Sequence, residues 1–214
     1  MTIPRPTCIF ILPLAFQRLK IYIDLCPVEI SGLGEVELRG DRLVVTDLFL
    51  IPQTGTPSET ELDPEHLYEF LAKHLLQGRD PASLRVWWHS HAGMDVNWSR
   101  IDQETIGKFP GDYLISIVGN KRGELLCRLD IFAPSPQTIN DLDLIPLDEP
   151  VVEATSEPDR LRGEVLAQIR EKVRIFLPVE PVELQEWVVA SEPEHQIQVD
   201  LDSLRHDQDS RGLH

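Results

Sequence analysis

Apolar residues in the first 133 positions follow two spacings, which predict alternating strands and helices. Short apolar or alternating runs predict strands at 8–12, 35–39, 43–51, 84–88, 113–118 and 124–132. Helical spacing predicts helices over 14–25 and 63–76, and Asp63-Pro64 supplies the second with a cap and a first-turn proline. This mixture predicts an α/β (α+β) fold in which helices flank a mixed central sheet.

The composition changes after Phe132, and we therefore divide the chain into four parts. Residues 1–133 form the main domain, 134–158 an acidic, proline-rich linker or wrapping segment, and 178–214 an acidic, partly disordered tail. Between them, 159–177 carries apolar residues at helical spacing and is predicted to be an amphipathic helix. Such a helix packs on the domain's own core, the more common case, or binds a partner.

The charge of the chain limits its partners. The 214 residues carry a formal net charge of −16 at pH 7, and the sequence pI is about 4.7. Nucleic-acid binding needs a basic surface that neutralises phosphates, so we expect no nucleic-acid partner. No apolar run approaches the length of a bilayer span, so we expect no membrane association.

Cysteine usage and the N-terminal segment predict the compartment. Three cysteines, far apart and without a C-x-x-C pair, favour a reducing environment over a disulfide framework. The apolar run at 8–16 has the length of a signal-peptide core, but charged residues follow it and no small-residue cleavage site does. A strand followed by a helix is the better interpretation, and we expect a cytoplasmic protein.

The most specific chemical pattern joins H-S-H at 89–91 to S-R-I-D at 99–102. Alternate side chains share one face of a strand, so His89 and His91 point the same way at the end of a predicted strand. Two imidazoles and one carboxylate, with a fourth position open, are typical of a catalytic zinc site. We therefore predict Zn²⁺ bound by His89, His91 and Asp102.

Each part of this pattern also has a simpler interpretation. Ser99 and Asp102 form an S-x-x-D capping box at a helix start, and an isolated H-x-H pair is usually incidental. The two interpretations are compatible, with Ser99 ending the loop and Asp102 in the first helical turn. We expect His66 and His74 on the second helix to be solvated or partly packed, and the tail histidines not to be ligands.

These residues resemble the JAMM/MPN metalloprotease family, and the similarity covers roughly residues 8–133. The block from Trp87 to Ser99 is especially similar to prokaryotic members. The segment P-V-E-I-S-G-L-G at 27–34 is similar to the family segment with the catalytic glutamate, which nominates Glu29. The resemblance implies a cytidine-deaminase-like core, a zinc cofactor and hydrolysis of an amide, most often an isopeptide bond to a lysine ε-amine.

General chemistry gives the residues the roles that the family gives to its matching positions. Zinc lowers the pKa of a bound water from about 15.7 toward 7. Glu29 is the candidate to take the proton and later deliver it to the leaving amine, and Ser99 to donate a hydrogen bond to the oxyanion. We expect a hydrolase that cleaves an amide or isopeptide bond at the C-terminus of a ubiquitin-like protein.

Other functions stay open at this point. One is a JAMM peptidase that matures a ubiquitin-like or sulfur-carrier precursor or cuts a small peptide, and another is a non-catalytic MPN scaffold. RadC-type bacterial proteins have a similar motif, but they usually follow the first histidine with Asn-His-Pro, where this chain has Ser-His-Ala.

The segment after the motif narrows the type of family member. About ten residues, without Cys or His, separate Asp102 from Tyr113, which favours a compact prokaryotic type over eukaryotic members with a zinc-binding insertion. The expected partners are a ubiquitin-like protein or its conjugates. A further protein partner is expected through the C-terminal helix or the acidic tail.

Overall fold

The computed structural model describes residues 6–149 and 158–177, and the predicted tail at 178–214 lies outside them. The strands are β1 (Cys8–Ile11), β2 (Ser31–Arg39), β3 (Arg42–Leu50), β4 (Gln53–Gly55), β5 (Thr60–Leu62), β6 (Leu84–Ser90), β7 (Tyr113–Gly119), β8 (Leu125–Ile131), β9 (Gln137–Ile139), β10 (Asp143–Pro146) and β11 (Val173–Ile175). The helices are α1 (Pro13–Leu25), α2 (Pro64–Leu76), α3 (Arg100–Ile106) and α4 (Pro158–Lys172).

A mixed sheet forms the centre of the described part. Its strand order is β10-β1-β3-β2-β6-β7-β8-β9, and a smaller sheet has the order β11-β4-β5. In the large sheet β1 runs parallel to β10 and β3, β6 runs parallel to β7, and the other neighbours are antiparallel. The predicted mixed α+β architecture, with helices flanking a central sheet, is confirmed.

Helices α1 and α4 cover one face of the large sheet. Leu19 and Tyr22 of α1 are buried in the main core together with Val165 and Ile169 of α4. Tyr22 also stacks on Trp88 of β6 with ring centroids 5.1 Å apart. These contacts favour packing of the amphipathic helix on the domain's own core.

Strand β6 divides its side chains between two cores. Trp88 is fully buried in the main core, whereas Trp87 packs with Ile106 of α3 and Leu114 on the opposite face. Gly32 on the neighbouring strand is needed for close approach, because a Cβ there would lie 2.0 Å from the Phe49 carbonyl oxygen. Because side chains alternate along a strand, the residues two and four positions after Trp87 point toward α3, as Trp87 does.

Three segments differ from the sequence-based expectation. Residues 53–60, for which the sequence predicts a polar loop, include β4 and the start of β5, and the buried Gln53 side chain bonds to the backbone of Ser31 at 2.7 Å in both directions. Residues 137–139 and 143–146, assigned to a linker or wrapping segment, pair with β8 and β1. Helix α4 ends at Lys172, and the next three residues pair with β4 instead.

Helix α2 confirms one local prediction and corrects another. The Asp63 side chain caps the helix by accepting from the backbone N–H groups of Glu65 and His66. His66 is exposed, as expected, but the expectation for His74 is wrong: it is buried, with Nε2 2.9 Å from a Glu35 carboxylate oxygen. Within the described residues, the helices are all too short or too polar to cross a bilayer.

Candidate metal centre

The end of β6 brings the two histidines to the face that α3 covers. His89 is the next-to-last residue of this strand, and His91 follows it directly. Ser90 points the other way, where its Oγ accepts from the Ile30 N–H at 3.1 Å and its own N–H donates to the Ile30 carbonyl at 2.8 Å. The predicted alternation of these side chains is confirmed.

Asp102 reaches the same place from the first turn of α3. Ser99 is the N-cap residue: its Oγ accepts from the Asp102 N–H at 3.1 Å, and the Asp102 carboxylate accepts from the Ser99 N–H at 2.7 Å. The capping box therefore exists and leaves one carboxylate oxygen of Asp102 facing the histidines. The capping interpretation of S-x-x-D is confirmed, and it is compatible with the predicted ligand role of Asp102.

The three side chains have the geometry of a small ligand cage. His89 Nε2 lies 3.2 Å from His91 Nε2 and 3.3 Å from Asp102 Oδ1. One ligand atom from each residue lies within 4.8 Å of the others, and all three residues are buried. Ligand nitrogens about 2.0–2.1 Å from a tetrahedral zinc are separated by roughly 3.3–3.4 Å, so the residues fit a zinc ion.

Electrostatics keep His89 in the state that binds metals. Burial is the main cause that lowers the pKa of its imidazole to about 4; Asp102 opposes this shift, and the nearby His91 ring adds to it. A neutral imidazole offers a nitrogen lone pair, whereas a protonated one repels a cation. Near pH 7 the ring is therefore ready to act as a ligand.

The two imidazoles are fixed by different means. His91 Nδ1 lies 2.8 Å from the Asp95 carbonyl oxygen, an acceptor, so Nδ1 carries the proton and Nε2 presents its lone pair. His89 Nδ1 is buried and has no hydrogen-bond partner among the described residues. The His89 ring instead stacks on Trp87, with centroids 4.4 Å apart and planes at 19°.

Glu29 lies just before β2 and is 6% exposed. Its backbone N–H donates to the Thr56 carbonyl at 2.9 Å, which ties it to the turn between β4 and β5. Burial, followed by the carboxylates of Asp102 and Glu59, raises the pKa of the Glu29 carboxyl to about 8. The structure thus places this residue within electrostatic range of Asp102, in an environment that favours a bound proton.

A groove of about 560 Å³ passes along the site. His89, Ser99 and Asp102 lie in its wall, β5 and the start of α2 form one side, and α3 forms the other. Its apolar lining comes from Leu62, Leu67, Ile101 and Phe109. The groove is large enough for an extended chain segment, which would then pass His89 and Asp102.

A buried polar cluster supports α3 from β8. Arg128 donates to both Asp130 carboxylate oxygens at 2.8 and 3.0 Å and to the Gln103 side-chain oxygen at 2.9 Å. Its guanidinium also lies 5.0 Å from the centre of the Trp98 ring. Sequence reasoning missed this cluster, although two charged residues in an otherwise apolar strand are a usable signal for buried pairing.

Comparisons with known proteins give partial similarity. No protein-family model matches this chain. COP9 signalosome complex subunit 5 of Gibberella zeae is 33% identical over 81 residues, which are 36% of this chain and 24% of that protein. The subunit of the same name from Oryza sativa subsp. japonica is 26% identical over 143 residues, 61% of this chain and 37% of that protein. This chain spans well under half the length of either relative.

Among solved structures, a protein of Desulfitobacterium hafniense determined in solution aligns with a TM-score of 0.49 and 15% sequence identity. The alignment covers 70% of this chain and 98% of that protein.

Proposed function

We propose that this chain is a zinc-dependent hydrolase of the JAMM type that cleaves an amide or isopeptide bond at the C-terminus of a ubiquitin-like protein. The observation that carries the proposal is the convergence of His89, His91 and Asp102 on one buried point beside a groove. The partial similarity to COP9 signalosome complex subunit 5 supports the JAMM resemblance, and the short connection from α3 to β7 supports a compact prokaryotic type.

The three residues would hold the metal beside the groove. When bound, zinc supplies an acidified water and a Lewis acid for the scissile carbonyl. His89 and His91 each offer Nε2, and Asp102 offers the carboxylate oxygen that its capping bond leaves free. Nitrogen and oxygen ligands without cysteine are typical of catalytic rather than structural zinc.

Glu29 is the proposed proton carrier. A carboxyl whose pKa lies near 8 in the metal-free protein holds a proton at neutral pH, and a nearby cation lowers that value. A carboxyl whose pKa lies near the working pH transfers a proton efficiently in both directions. Glu29 accepts a proton during attack and delivers it to the leaving amine.

Ser99 is the proposed oxyanion donor. Its hydroxyl oxygen already accepts from the Asp102 N–H, so the hydroxyl hydrogen stays free to donate into the groove. Loss of one such donor costs about 100- to 1000-fold in turnover. The same serine therefore caps α3 and faces the reacting carbonyl.

The groove supports a substrate with a narrow extended end. A folded domain does not fit into a space of about 560 Å³, but a C-terminal tail can lie between β5 and α3 with its last carbonyl beside the ligands. Maturation of a linear ubiquitin-like precursor uses the same tail, so the two reactions differ only in the leaving amine. We also propose that other proteins, including partners in a larger complex, bind parts of the chain outside the groove.

The test compares wild type with Glu29→Gln on isopeptide conjugates and linear fusions of ubiquitin-like proteins, with and without a zinc chelator. We expect cleavage by wild type, its loss on chelation, and a decrease of about 100- to 10,000-fold in the variant. Zinc content, measured by mass spectrometry, should be equal in the two proteins. Unchanged turnover in Glu29→Gln contradicts the proposed role, and a zinc-loaded wild type that cleaves nothing in the panel contradicts the proposed activity.

A further inference from the structure

We infer that Asn120 is a positioning residue that fixes the orientation of His91 from the turn between β7 and β8. This inference rests on the proposed zinc site, but its central step concerns the imidazole itself. The relevant segments are the site loop, residues 92–95, which follows His91, and the β7–β8 turn, residues 120–124. They are adjacent because β6 and β7 are parallel neighbours whose C-terminal ends meet at one sheet edge.

The site loop needs external support. Ala92 has a φ of +42°, a left-handed conformation that a non-glycine residue adopts only when its surroundings hold it. Backbone bonds supply part of that support: the His91 N–H donates to the Gly119 carbonyl and the Lys121 N–H to the Ala92 carbonyl, each at 2.9 Å. The loop is therefore bonded to the end of β7 on both sides of Ala92.

Asn120 completes the connection with its side chain. This residue is 3% exposed, and its Nδ2 donates to the Met94 carbonyl at 2.8 Å and to the Glu124 carboxylate. Its Oδ1 accepts from the backbone N–H groups of Arg122 and Glu124 at 3.0 and 3.1 Å. The Asn120 amide thus bonds to the backbone of the β7–β8 turn and also to the site loop.

Arg122 makes a second, more exposed connection. Its guanidinium donates to the Gly93 carbonyl at 3.3 Å and bonds to the carboxylates of Asp95 and Glu124. The exposed ion pairs contribute little by themselves, since water screens them. The buried amide of Asn120 is therefore the principal support, and Arg122 is an auxiliary one.

The consequence reaches His91 through the next residue of the loop. Met94 and Asp95 are consecutive, so fixing the Met94 carbonyl also fixes the peptide that leads to the Asp95 carbonyl. That carbonyl accepts from His91 Nδ1 at 2.8 Å and keeps the proton away from Nε2. Partners of this kind typically change metal affinity by about 10- to 100-fold when they are lost.

The test variant is Asn120→Asp, which keeps the size of the side chain but replaces the Nδ2 donor with an acceptor. The new carboxylate oxygen faces the Met94 carbonyl and the Glu124 carboxylate, so the site loop loses its support. We expect zinc affinity, measured by competition with a chromophoric chelator, to fall about 10- to 100-fold. In the metal-free protein, nitrogen-15 NMR should show His91 as the Nδ1-protonated tautomer in wild type and as a mixture in the variant.

Arg100→Gln is the matched control. It changes the net charge by the same amount and removes an exposed pair with Glu104 on α3, but it does not touch the site loop. Its zinc affinity should equal that of wild type. If Asn120→Asp does not fold, Arg122→Gln takes its place, with a smaller expected loss of up to about tenfold and with Arg122→Lys as the conservative rescue.

The outcomes separate this inference from the proposed function. Unchanged zinc affinity and an unchanged His91 tautomer in a folded Asn120→Asp protein would overturn the positioning role. A wild type that binds zinc but cleaves no substrate would contradict the proposed activity and leave the positioning role standing. If wild type binds no zinc, the proposed function fails, and the tautomer measurement alone decides the inference.

Discussion

The two sides of the candidate site hold their histidines in opposite ways. On the hydrogen-bonded side, His91 donates to the Asp95 carbonyl, and bonds from the β7–β8 turn to the Ala92 and Met94 carbonyls hold the loop that carries it. On the desolvated side, His89 stacks on Trp87 and its Nδ1 has no partner among the described residues. Glu29 also belongs to the desolvated side, because burial raises the pKa of its carboxyl and so favours the neutral form.

The difference shows that one ligand set can be preorganised by two kinds of force. Hydrogen bonds fix a tautomer and a direction but need a supporting loop, whereas packing fixes a ring plane and excludes water. Desolvation is the largest cause that lowers the pKa of His89 to about 4 and raises that of Glu29 to about 8, so it disfavours charge on both groups in the metal-free protein. A cation at the site would reverse part of that cost.

Replacing each histidine by alanine is the strongest way to test the comparison. Structural zinc sites with four protein ligands bind the ion with about 10–16 kcal/mol, which is on the order of 3 kcal/mol per ligand. His89→Ala and His91→Ala should therefore each reduce zinc affinity about 100-fold or more. The metal-free proteins should differ, because His89→Ala leaves a cavity beside Trp87 and lowers the free energy of unfolding by about 2 kcal/mol or more. His91→Ala should lower it by about 1 kcal/mol.

Chelator competition and urea unfolding of the metal-free proteins measure the two effects. Wild-type zinc affinity in either variant would remove that residue from the ligand set. Equal losses of unfolding free energy would show that packing and hydrogen bonding do not divide between the two sides.

Trp87→Leu tests the desolvated side without removing a candidate ligand. The shorter side chain loses the stacking on His89 and part of the contact with α3, so the free energy of unfolding should fall by about 2–4 kcal/mol. Zinc affinity should fall by up to about tenfold because the His89 ring becomes free to rotate. Thermal unfolding and chelator competition measure these changes.

The adjacent tryptophan supplies the matched control. Trp88 is fully buried on the other face of the same strand, where it stacks on Tyr22. Trp88→Leu should destabilise the fold by a similar amount and leave the zinc affinity of the folded protein unchanged. If the two variants bind zinc equally well, stacking on Trp87 does not orient His89.

How well the sequence predicted each part of the site depends on how local its signal is. The alternation of His89 and His91 follows from strand geometry within three residues, and the Ser99–Asp102 capping box spans one helical turn. Both were therefore readable from the sequence. The nomination of Glu29 rested on family resemblance alone, because no fixed spacing links it to the histidines, and its catalytic role stays a prediction.

The parts that escaped sequence reasoning depend on distant partners. The sequence predicts that Gln53 is a loop residue, yet it is buried because its amide completes the backbone bonding of Ser31. The sequence predicts that His74 of α2 is solvated or partly packed, but Phe49, Phe70 and Glu35 surround it. Strand β10 pairs in parallel with β1, more than 130 positions earlier in the chain, which no local pattern could indicate.

The smallest predicted effect concerns the proton on Glu29, which lies on the desolvated side. In the metal-free protein, the pKa of Glu29 is raised from 4.5 to about 8 by burial and by the Asp102 and Glu59 carboxylates. The folded protein therefore holds this proton more tightly than the unfolded chain does. The resulting stabilisation is complete below pH 4.5 and is lost as the pH rises through about 8.

Glu29→Gln replaces the titrating group with a neutral one of the same size, so this pH dependence should disappear. The metal-free variant should match wild type near pH 5 and exceed its free energy of unfolding by about 1–3 kcal/mol near pH 9, a range that allows for partial solvent screening. Urea unfolding across this pH range measures the difference. A difference in the free energy of unfolding that stays constant with pH would mean that Glu29 is not desolvated. The desolvated side of the site would then consist of His89 alone.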